Sequence, residues 1–231
     1  MSEGLAQRAG PLAVQGPVPL SRRACLAAGA ACLLPVLPDP ARAGAQVEEP
    51  LADSVRSALS AAIANRAPPQ PHFDSLDQRL PYLRWLAWTS DRLKRRKAEY
   101  QTRVEFLQTV WYESRRAGLE TDLVLGLIQV ESGFRKYAIS VAGARGYMQV
   151  MPFWARVIGD GDASRLFHMQ TNLRFGCTIL RHYLERERGD LFMALGRYNG
   201  SRGRAEYPNL VFGARRQWAQ PAEAPRQAGG A

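Results

Sequence analysis

The sequence predicts an all-α fold on the strength of three observations. From Leu80 onward, apolar residues recur almost without interruption at the three- and four-residue spacing of amphipathic helices. Glycine or proline opens or follows most of these runs, as is typical of helix ends. No run shows the alternation that indicates a robust β-strand. We therefore expect one helical domain with irregular tails on both sides.

The first helix of this domain is expected at about 80–97. Its expected apolar stripe includes Leu83, Leu86, Ala87 and Leu93, with two tryptophans beside it. The basic run "RLKRRK" ends it, and positive charge is favourable at the negative end of a helix dipole. A shorter helix, at about 55–64, is predicted upstream within a segment rich in alanine and proline.

The second helix of the domain is expected to begin at a capping box formed by Thr102 and Glu105. Its stripe includes Leu107 and Val110, and Gly118 ends it. The next helix carries the stretch "LVLGLIQVESGF", in which Leu123, Leu127 and Glu131 are spaced four apart.

The helices of the second half are predicted from their end signals. Pro152 suits the first position of a short helix. A longer helix follows, with Leu173, Cys177, Leu180 and Leu184 on its apolar side, and Gly189 stops it. Asp190 can cap the next helix, and Pro208 can open the last one. These signals complete the all-α prediction.

Composition and the N-terminus indicate an exported protein. The chain has 231 residues and a net charge of +10, which favours an anionic partner, although a generally basic proteome gives the same balance. Residues 21–43 run from paired arginines through an apolar stretch to Ala-Arg-Ala, the order of an export signal that resembles the twin-arginine type. A general secretory signal is the alternative. No nucleic-acid-binding motif is present, so we expect no nucleic-acid partner.

Four segments follow from these features. They are a signal peptide at 1–43, a linker at 44–76, the helical domain with an N-terminal helical extension at 77–219, and a disordered tail at 220–231. Cleavage near Ala43 would remove two of the three cysteines and leave Cys177 as a buried thiol without a partner. The apolar part of the signal is too short to span a membrane, so we expect no stable membrane insertion after cleavage.

Glu131 is the candidate functional residue, because the helical phase places it on the buried side of its helix. It also lies in the last turn, just before Gly133. Burial and the negative helix end both raise the pKa of a carboxyl, to roughly 6 in comparable cases, so that the group can act as a general acid. A buried glutamate that is neutralised by an arginine or by backbone amides is the structural alternative.

Three motifs change this balance: "ESGF" at 131–134, "GARGYMQVMP" at 143–152 and "ALGRYNGS" at 194–201. In this order, together with "NLRFG", they resemble the bacterial lytic transglycosylases with a goose-type lysozyme-like catalytic domain. The resemblance covers about 103–214. It implies a lysozyme-like helical domain with a substrate cleft, and no cofactor or metal.

The resemblance also implies the reaction. Members of this family cleave the β-1,4 bond between N-acetylmuramic acid and N-acetylglucosamine in peptidoglycan and leave a 1,6-anhydro end. Glu131 would first protonate the glycosidic oxygen and then act as base on the C6 hydroxyl that attacks C1. One carboxylate would do both, which explains why no second acid is obvious. Glu113, Asp122 and Asp190 are candidates for a partner, but their helical phase points elsewhere.

By the same resemblance, several residues would bind substrate: Ser132, Gly146, Met148, Gln149, Tyr198 and Asn199. Ser132 would orient the substrate, Gln149 would bind an acetamido group, and the Tyr198 hydroxyl would approach Glu131. Met148 lines the cleft or fills the core, and Gly146 allows close backbone approach or a turn. The motif departs from the family at Gly196 and Arg197, where two small residues are usual.

The sequence thus predicts a periplasmic lytic murein transglycosylase, with peptidoglycan glycan strands as its partner. Arg135, Lys136, Arg145, Arg202 and Arg204 are expected along the groove, where stem-peptide carboxylates would lie. A lysozyme-like hydrolase and a non-catalytic wall-binding factor are the alternatives. The first would leave hydrated sugar ends, and the second would not need Glu131.

Overall fold

A computed structural model of the chain describes residues 46–64 and 71–221. The predicted signal at 1–43, part of the predicted linker and the tail from 222 onward lie outside these residues. Within them, no helix is long and apolar enough to cross a membrane.

The described residues form eight α-helices and a short 3₁₀ turn, Ala163–Phe167. They contain no strand, only two isolated bridges that join Arg145 to Ile139 and to Val150. The all-α prediction is confirmed. In chain order the helices are α1 (Asp53–Ala64), α2 (Leu76–Leu93), α3 (Tyr100–Arg116), α4 (Thr121–Ser132), α5 (Pro152–Ile158), α6 (Met169–Arg186), α7 (Leu191–Asn199) and α8 (Glu206–Trp218).

Helix α4 lies in the core. Its residues from Leu123 to Ile128 are all buried, on every side of the helix. Helix α8 crosses it closely at Gly126, where an added Cβ would lie 2.6 Å from the backbone nitrogen of Arg215. Gly133 ends α4 in the left-handed region, with φ of 57°. The predicted position of Glu131 in the last turn is therefore correct.

Two other end signals are confirmed. Pro152 occupies the first turn of α5. The Asp190 carboxylate accepts a hydrogen bond from the Met193 backbone N–H at 3.0 Å and caps α7. Cys177, predicted as a buried thiol, is free and buried in α6.

The predicted capping box of α3 is wrong. The helix begins at Tyr100, and its N-cap is Glu99 rather than Thr102. The Glu99 carboxylate accepts hydrogen bonds from the backbone N–H groups of Gln101 and Thr102. A carboxylate is also stabilised by the positive end of the helix dipole, so Glu99 can cap a helix that begins before Thr102.

The predicted buried face of α2 is partly wrong. Leu93 is buried as predicted, but Leu83 is exposed, whereas Tyr82 and Trp85 are buried. The Trp85 ring lies 4.9 Å from that of Trp111 in α3, between ring centroids. An aromatic ring buries more apolar area than a leucine, so Trp85, which was expected beside the stripe, lies on the inner face.

The segment before α2 differs from the linker interpretation of 44–76. Helix α1 packs against α5 and α6. Ahead of it, Gln46 is buried, and its side-chain oxygen accepts a 2.8 Å hydrogen bond from the Trp154 indole N–H. Residues 46–64 are therefore attached to the helical domain.

Candidate active site

Glu131 is buried at the C-terminal end of α4, with a relative exposure of 6%. The Tyr207 hydroxyl, at the start of α8, donates a short hydrogen bond to Oε1 of this carboxyl group. The other oxygen, Oε2, is buried and has no hydrogen-bond partner within the described part of the chain. One oxygen of this carboxyl group is thus held by Tyr207, and the other is an unsatisfied polar atom.

Burial raises the pKa of Glu131 from 4.5 to about 8, and the hydrogen bond from Tyr207 opposes part of this rise. Removing a carboxylate from water penalises its charged form, whereas a donor to the charged form favours it. Glu131 is therefore protonated at neutral pH, as a general acid must be. The value lies above the roughly 6 expected from the sequence because the group is fully enclosed.

The three carboxylates considered as partners for Glu131 are all engaged elsewhere. Glu113 is buried and makes a two-pronged ion pair with Arg174, with an Nη2 to Oε1 distance of 2.8 Å. Asp122 lies 3.1 Å from the Arg215 guanidinium. Asp190 caps α7. The helical-phase prediction for these residues is confirmed by these contacts.

The loop between α4 and α5 is tied to the end of α4 by Ser132. The Ser132 hydroxyl donates to the Tyr147 carbonyl at 2.7 Å, and its side chain is buried. Gln149 adopts a positive φ of 48°, and its amide nitrogen donates to the carbonyls of Ala138 and Gly146. Both polar side chains thus fix the loop beside Glu131, and their direct contact with substrate stays a prediction.

Asn172, in α6, holds the other side of this loop. Its side-chain oxygen accepts from the Met148 backbone N–H at 2.8 Å. Its amide nitrogen donates to the carbonyls of Arg145 and Leu166, each at 2.8 Å. Gly146 gives it room, because a Cβ there would lie 2.4 Å from the Asn172 amide nitrogen. Close backbone packing around Asn172 is thus what Gly146 provides.

Met148 takes the second of its two predicted roles and fills the core. Its side chain is fully buried over Gly176, where an added Cβ would lie 2.4 Å from the Met148 sulfur. Such a side chain has no surface with which to contact substrate. Only its backbone faces polar partners: the carbonyl accepts a 2.8 Å hydrogen bond from the Tyr198 hydroxyl.

Tyr207, which the sequence reasoning missed, bonds to the carboxyl group in place of Tyr198. Tyr198 lies near enough for the charge of Glu131 to raise its own pKa, after burial, but its hydroxyl is directed at Met148. Tyr207 was missed because the last helix was expected to start at Pro208. The helix begins two residues earlier, at Glu206, which places the buried Tyr207 in its first turn.

Asn199 ends α7 beside these tyrosines. Its amide nitrogen donates to the Ser201 hydroxyl at 3.0 Å. Its side-chain oxygen is buried and accepts no hydrogen bond from any described residue. Asn199 Oδ1 and Glu131 Oε2 are therefore two polar atoms of the candidate site that a ligand could satisfy.

The basic residues expected along a groove have contacts of their own. The Arg135 guanidinium donates to the Ser132 carbonyl, and that of Arg145 to the Ala163 carbonyl. Arg202 forms an ion pair with Glu187. These arginines support the framework of the candidate site, and a role in substrate binding stays a prediction.

A cavity of about 440 Å³ lies apart from Glu131, between α1, α5 and α6. Its walls include Ile63, Ile158 and Phe175, together with polar residues of the turn at 160–168. None of the candidate site residues lines it. The chemistry expected of Glu131 is therefore not located in this cavity.

Comparisons with known proteins agree with the geometry. The model of the transglycosylase SLT domain family matches residues 109–219. Membrane-bound lytic murein transglycosylase C of Mannheimia succiniciproducens is 49% identical over 84 residues, 33% of this chain and 24% of that protein. The transglycosylase of Enterobacteria phage PRD1 is 32% identical over 124 residues, 48% of this chain and 45% of the phage protein.

Among solved structures, an X-ray structure of an inactive mutant of the lytic transglycosylase Slt from Pseudomonas aeruginosa matches with a TM-score of 0.39. The match has 21% identity and covers 61% of this chain and 27% of that chain. The matched segment therefore spans about a quarter of the membrane-bound relative and less than half of the phage protein. The family match includes Glu131 and all three sequence motifs. Residues 109–219 match the model of the transglycosylase SLT domain family, in agreement with the resemblance drawn from the motifs.

Proposed function

We propose that the protein is a peptidoglycan lytic transglycosylase, which cleaves the β-1,4 bond between N-acetylmuramic acid and N-acetylglucosamine. The observation that carries this proposal is the state of Glu131. It is a buried carboxyl group that is protonated at neutral pH, and one of its oxygens has no partner among the described residues. The three carboxylates considered as its partners are engaged elsewhere. The SLT domain at 109–219 supports the same reaction.

In the proposed reaction, Glu131 acts first as acid and then as base. Its proton passes from Oε2 to the glycosidic oxygen as the bond from that oxygen to C1 breaks. The carboxylate then accepts the proton of the muramic acid C6 hydroxyl, whose oxygen forms a new bond to C1. The products are a free hydroxyl on the leaving sugar and a 1,6-anhydro end, with no water consumed. Glu131 is protonated again at the end of the cycle.

This reaction does not need the pair of carboxylates that ordinary glycosidases use. The attacking group belongs to the substrate, and the substrate's acetamido group can stabilise the charge at C1. The hydrogen bond from Tyr207 stabilises the carboxylate form of Glu131 between the two steps. The engagement of Glu113, Asp122 and Asp190 elsewhere supports this single-carboxylate route.

The remaining site residues would act around Glu131. Asn199 Oδ1 is buried and has no hydrogen-bond donor among the described residues, so it would accept a hydrogen bond from the glycan. Ser132 and Gln149 would hold the loop that forms one wall of the subsite. Tyr198 would fix the carbonyl of Met148 in that loop. Gly146 and the Met148 side chain would provide its packing.

The proposed location is the periplasm, after cleavage of the signal near Ala43. The related protein of Mannheimia succiniciproducens and that of Actinobacillus pleuropneumoniae are membrane-bound lytic murein transglycosylases, which supports a location at the cell wall. The Ala-Arg-Ala sequence at 41–43 supports export of this chain. Glycan strands of peptidoglycan are the proposed partner.

Mass analysis of the products released from purified sacculi tests the proposed function. We expect muropeptides with anhydro ends, which lack one water relative to hydrolysed ends, and no release by the Glu131→Gln variant. Products with only hydrated reducing ends would show a lysozyme-like hydrolase. Equal release by the Glu131→Gln protein would show that the site is not catalytic.

Replacing Tyr207 with phenylalanine is expected to lower kcat about 10-fold or more, because a hydrogen bond to a charged group is lost. The same hydrogen bond lowers the pKa of Glu131, so its removal raises that pKa. Activity needs the protonated acid and falls as pH rises through its pKa. The alkaline limb of the pH–rate profile should therefore move to higher pH.

Tyr183→Phe is the matched control for this variant. Tyr183 is also buried, but it packs against Trp154 rather than beside Glu131. Its profile should keep the alkaline limb of the unaltered protein. An unshifted limb in Tyr207→Phe would contradict the role given to the Tyr207 hydroxyl.

A further inference from the structure

Glu187, directly after α6, is the centre of an ion cluster beside the end of α7. Its carboxylate accepts from Arg197 at 2.6 Å and from Arg202 at 2.8 Å. Arg197 precedes Tyr198 and Asn199, and Arg202 follows them by a few residues. The two arginines therefore clamp the turn that carries Asn199 from both sides.

A residue from the N-terminal segment completes this cluster. Glu49 accepts a 2.8 Å hydrogen bond from Arg197, and Arg186 lies 2.5 Å from its other oxygen. Glu49 is 148 positions away from Arg197 in the sequence. The hydrogen bond between Gln46 and Trp154 anchors the same segment near its start. Glu49 therefore contacts α6 and α7, although it lies before residues 109–219, which match the SLT domain.

The Arg197 side chain makes the contact with Glu49 from the last turn of α7. The Arg197 side chain is only 17% exposed and Glu187 only 7%. A guanidinium that is largely removed from water needs carboxylate partners on its several N–H groups, and Glu187 and Glu49 each supply one.

We infer that Glu49 is a positioning residue of the active site, which acts through Arg197 to fix the end of α7 and the side-chain oxygen of Asn199. The inference rests on the proposed function, in which a glycan hydroxyl or amide donates a hydrogen bond to the buried Oδ1 of Asn199. Glu49 itself touches no substrate. The segment that carries Glu49 thereby contributes to catalysis, although composition alone predicts a linker at 44–76.

The physical reason is that Arg197 without Glu49 keeps only one of its two carboxylates. Its guanidinium would then turn toward solvent or toward Glu187 alone, and the backbone of the adjacent residues would follow. A misplacement of about 1 Å in a group that binds substrate can cost a large factor in rate, even when the altered residue is remote. Because Asn199 would bind the glycan rather than transfer protons, the loss should be mainly in substrate binding.

The experiment compares Glu49→Gln with Glu48→Gln in the mature chain. Glu48 is the matched control, since it pairs at 3.4 Å with Arg156 in α5 and is 53% exposed. With soluble glycan strands as substrate, Glu49→Gln should raise KM roughly three- to tenfold, with a smaller change in kcat. Glu48→Gln should keep both constants of the unaltered protein.

Amide chemical shifts provide a readout that does not depend on turnover. Glu49→Gln should shift the backbone amides at 197–201 and the Asn199 side-chain amide, and Glu48→Gln should leave them in place. Equal KM values for the two variants, or a fall in activity that follows only a lower Tm with unchanged shifts at 197–201, would overturn the inference. If the unaltered protein released nothing from sacculi, the proposed function would fail, while the shifts would still decide whether Glu49 controls the end of α7.

Discussion

Glu131→Gln is expected to lose activity by roughly 10³-fold or more, because the one group that donates and then accepts the proton is removed. Glutamine has nearly the same shape, and its carbonyl oxygen can still accept the hydrogen bond from Tyr207. The fold should therefore be retained. The measurement is the initial rate of anhydro-muropeptide release by the purified variant and the unaltered protein.

The same substitution should change the pH dependence of stability. The folded pKa of Glu131, about 8, lies above its ordinary value of 4.5. Between these values the folded protein holds a proton that the unfolded chain releases, so the free energy of unfolding falls as pH rises through this window. The slope is at most about 1.4 kcal/mol per pH unit. Glutamine removes this loss, and the variant should gain on the unaltered protein from pH 5 to pH 8.

Urea unfolding at several pH values measures this effect. A constant difference in unfolding free energy between Glu131→Gln and the unaltered protein would contradict the raised pKa. Glu120→Gln is a suitable control, because Glu120 is exposed and paired with Arg215 at the other end of α4. It should show no such divergence over the same pH range.

Asn172→Ala is expected to cause the second large effect, a destabilisation of about 3 kcal/mol or more. Three hydrogen bonds of the fully buried side chain are lost, and the Met148 N–H and the carbonyls of Arg145 and Leu166 each lose this partner. Activity should fall further than stability explains, because the loop that lies beside Glu131 is no longer held. Urea unfolding and kcat on soluble glycan strands measure the two effects.

Asn172→Asp separates the contributions of the two ends of this amide. Aspartate can still accept from the Met148 N–H but cannot donate to the two carbonyls. We expect it to be destabilised as well, since a buried charge then faces the carbonyls of Arg145 and Leu166. Near-normal stability in both variants would show that Asn172 does not hold the loop.

The site was predictable from sequence where it depends on helical periodicity. The four-residue spacing from Leu123 to Glu131, ended by Gly133, is a local property of α4, and the structure keeps it. The phase of Glu113 and Asp122 is local in the same sense. Such features need only the geometry of one helix.

The missed features depend on contacts between distant segments. The bond from Tyr207 to Glu131 joins residues 76 positions apart, and that from Arg197 to Glu49 spans 148. No periodicity within one helix reports such pairs. Part of the inner face of α2 was misassigned for a related reason. Trp85 packs against Trp111 in α3, and a pattern within α2 does not report this contact.

Titration of the Glu131 carboxyl group tests most directly whether this buried residue is the general acid. Its side-chain carboxyl carbon can be followed by ¹³C NMR in the full domain, with Glu131→Gln to assign the signal. We expect a midpoint near pH 8, matching the alkaline limb of the pH–rate profile. A midpoint near the ordinary value of 4.5 would mean that Glu131 is ionised at neutral pH, and the proposed first step would be contradicted.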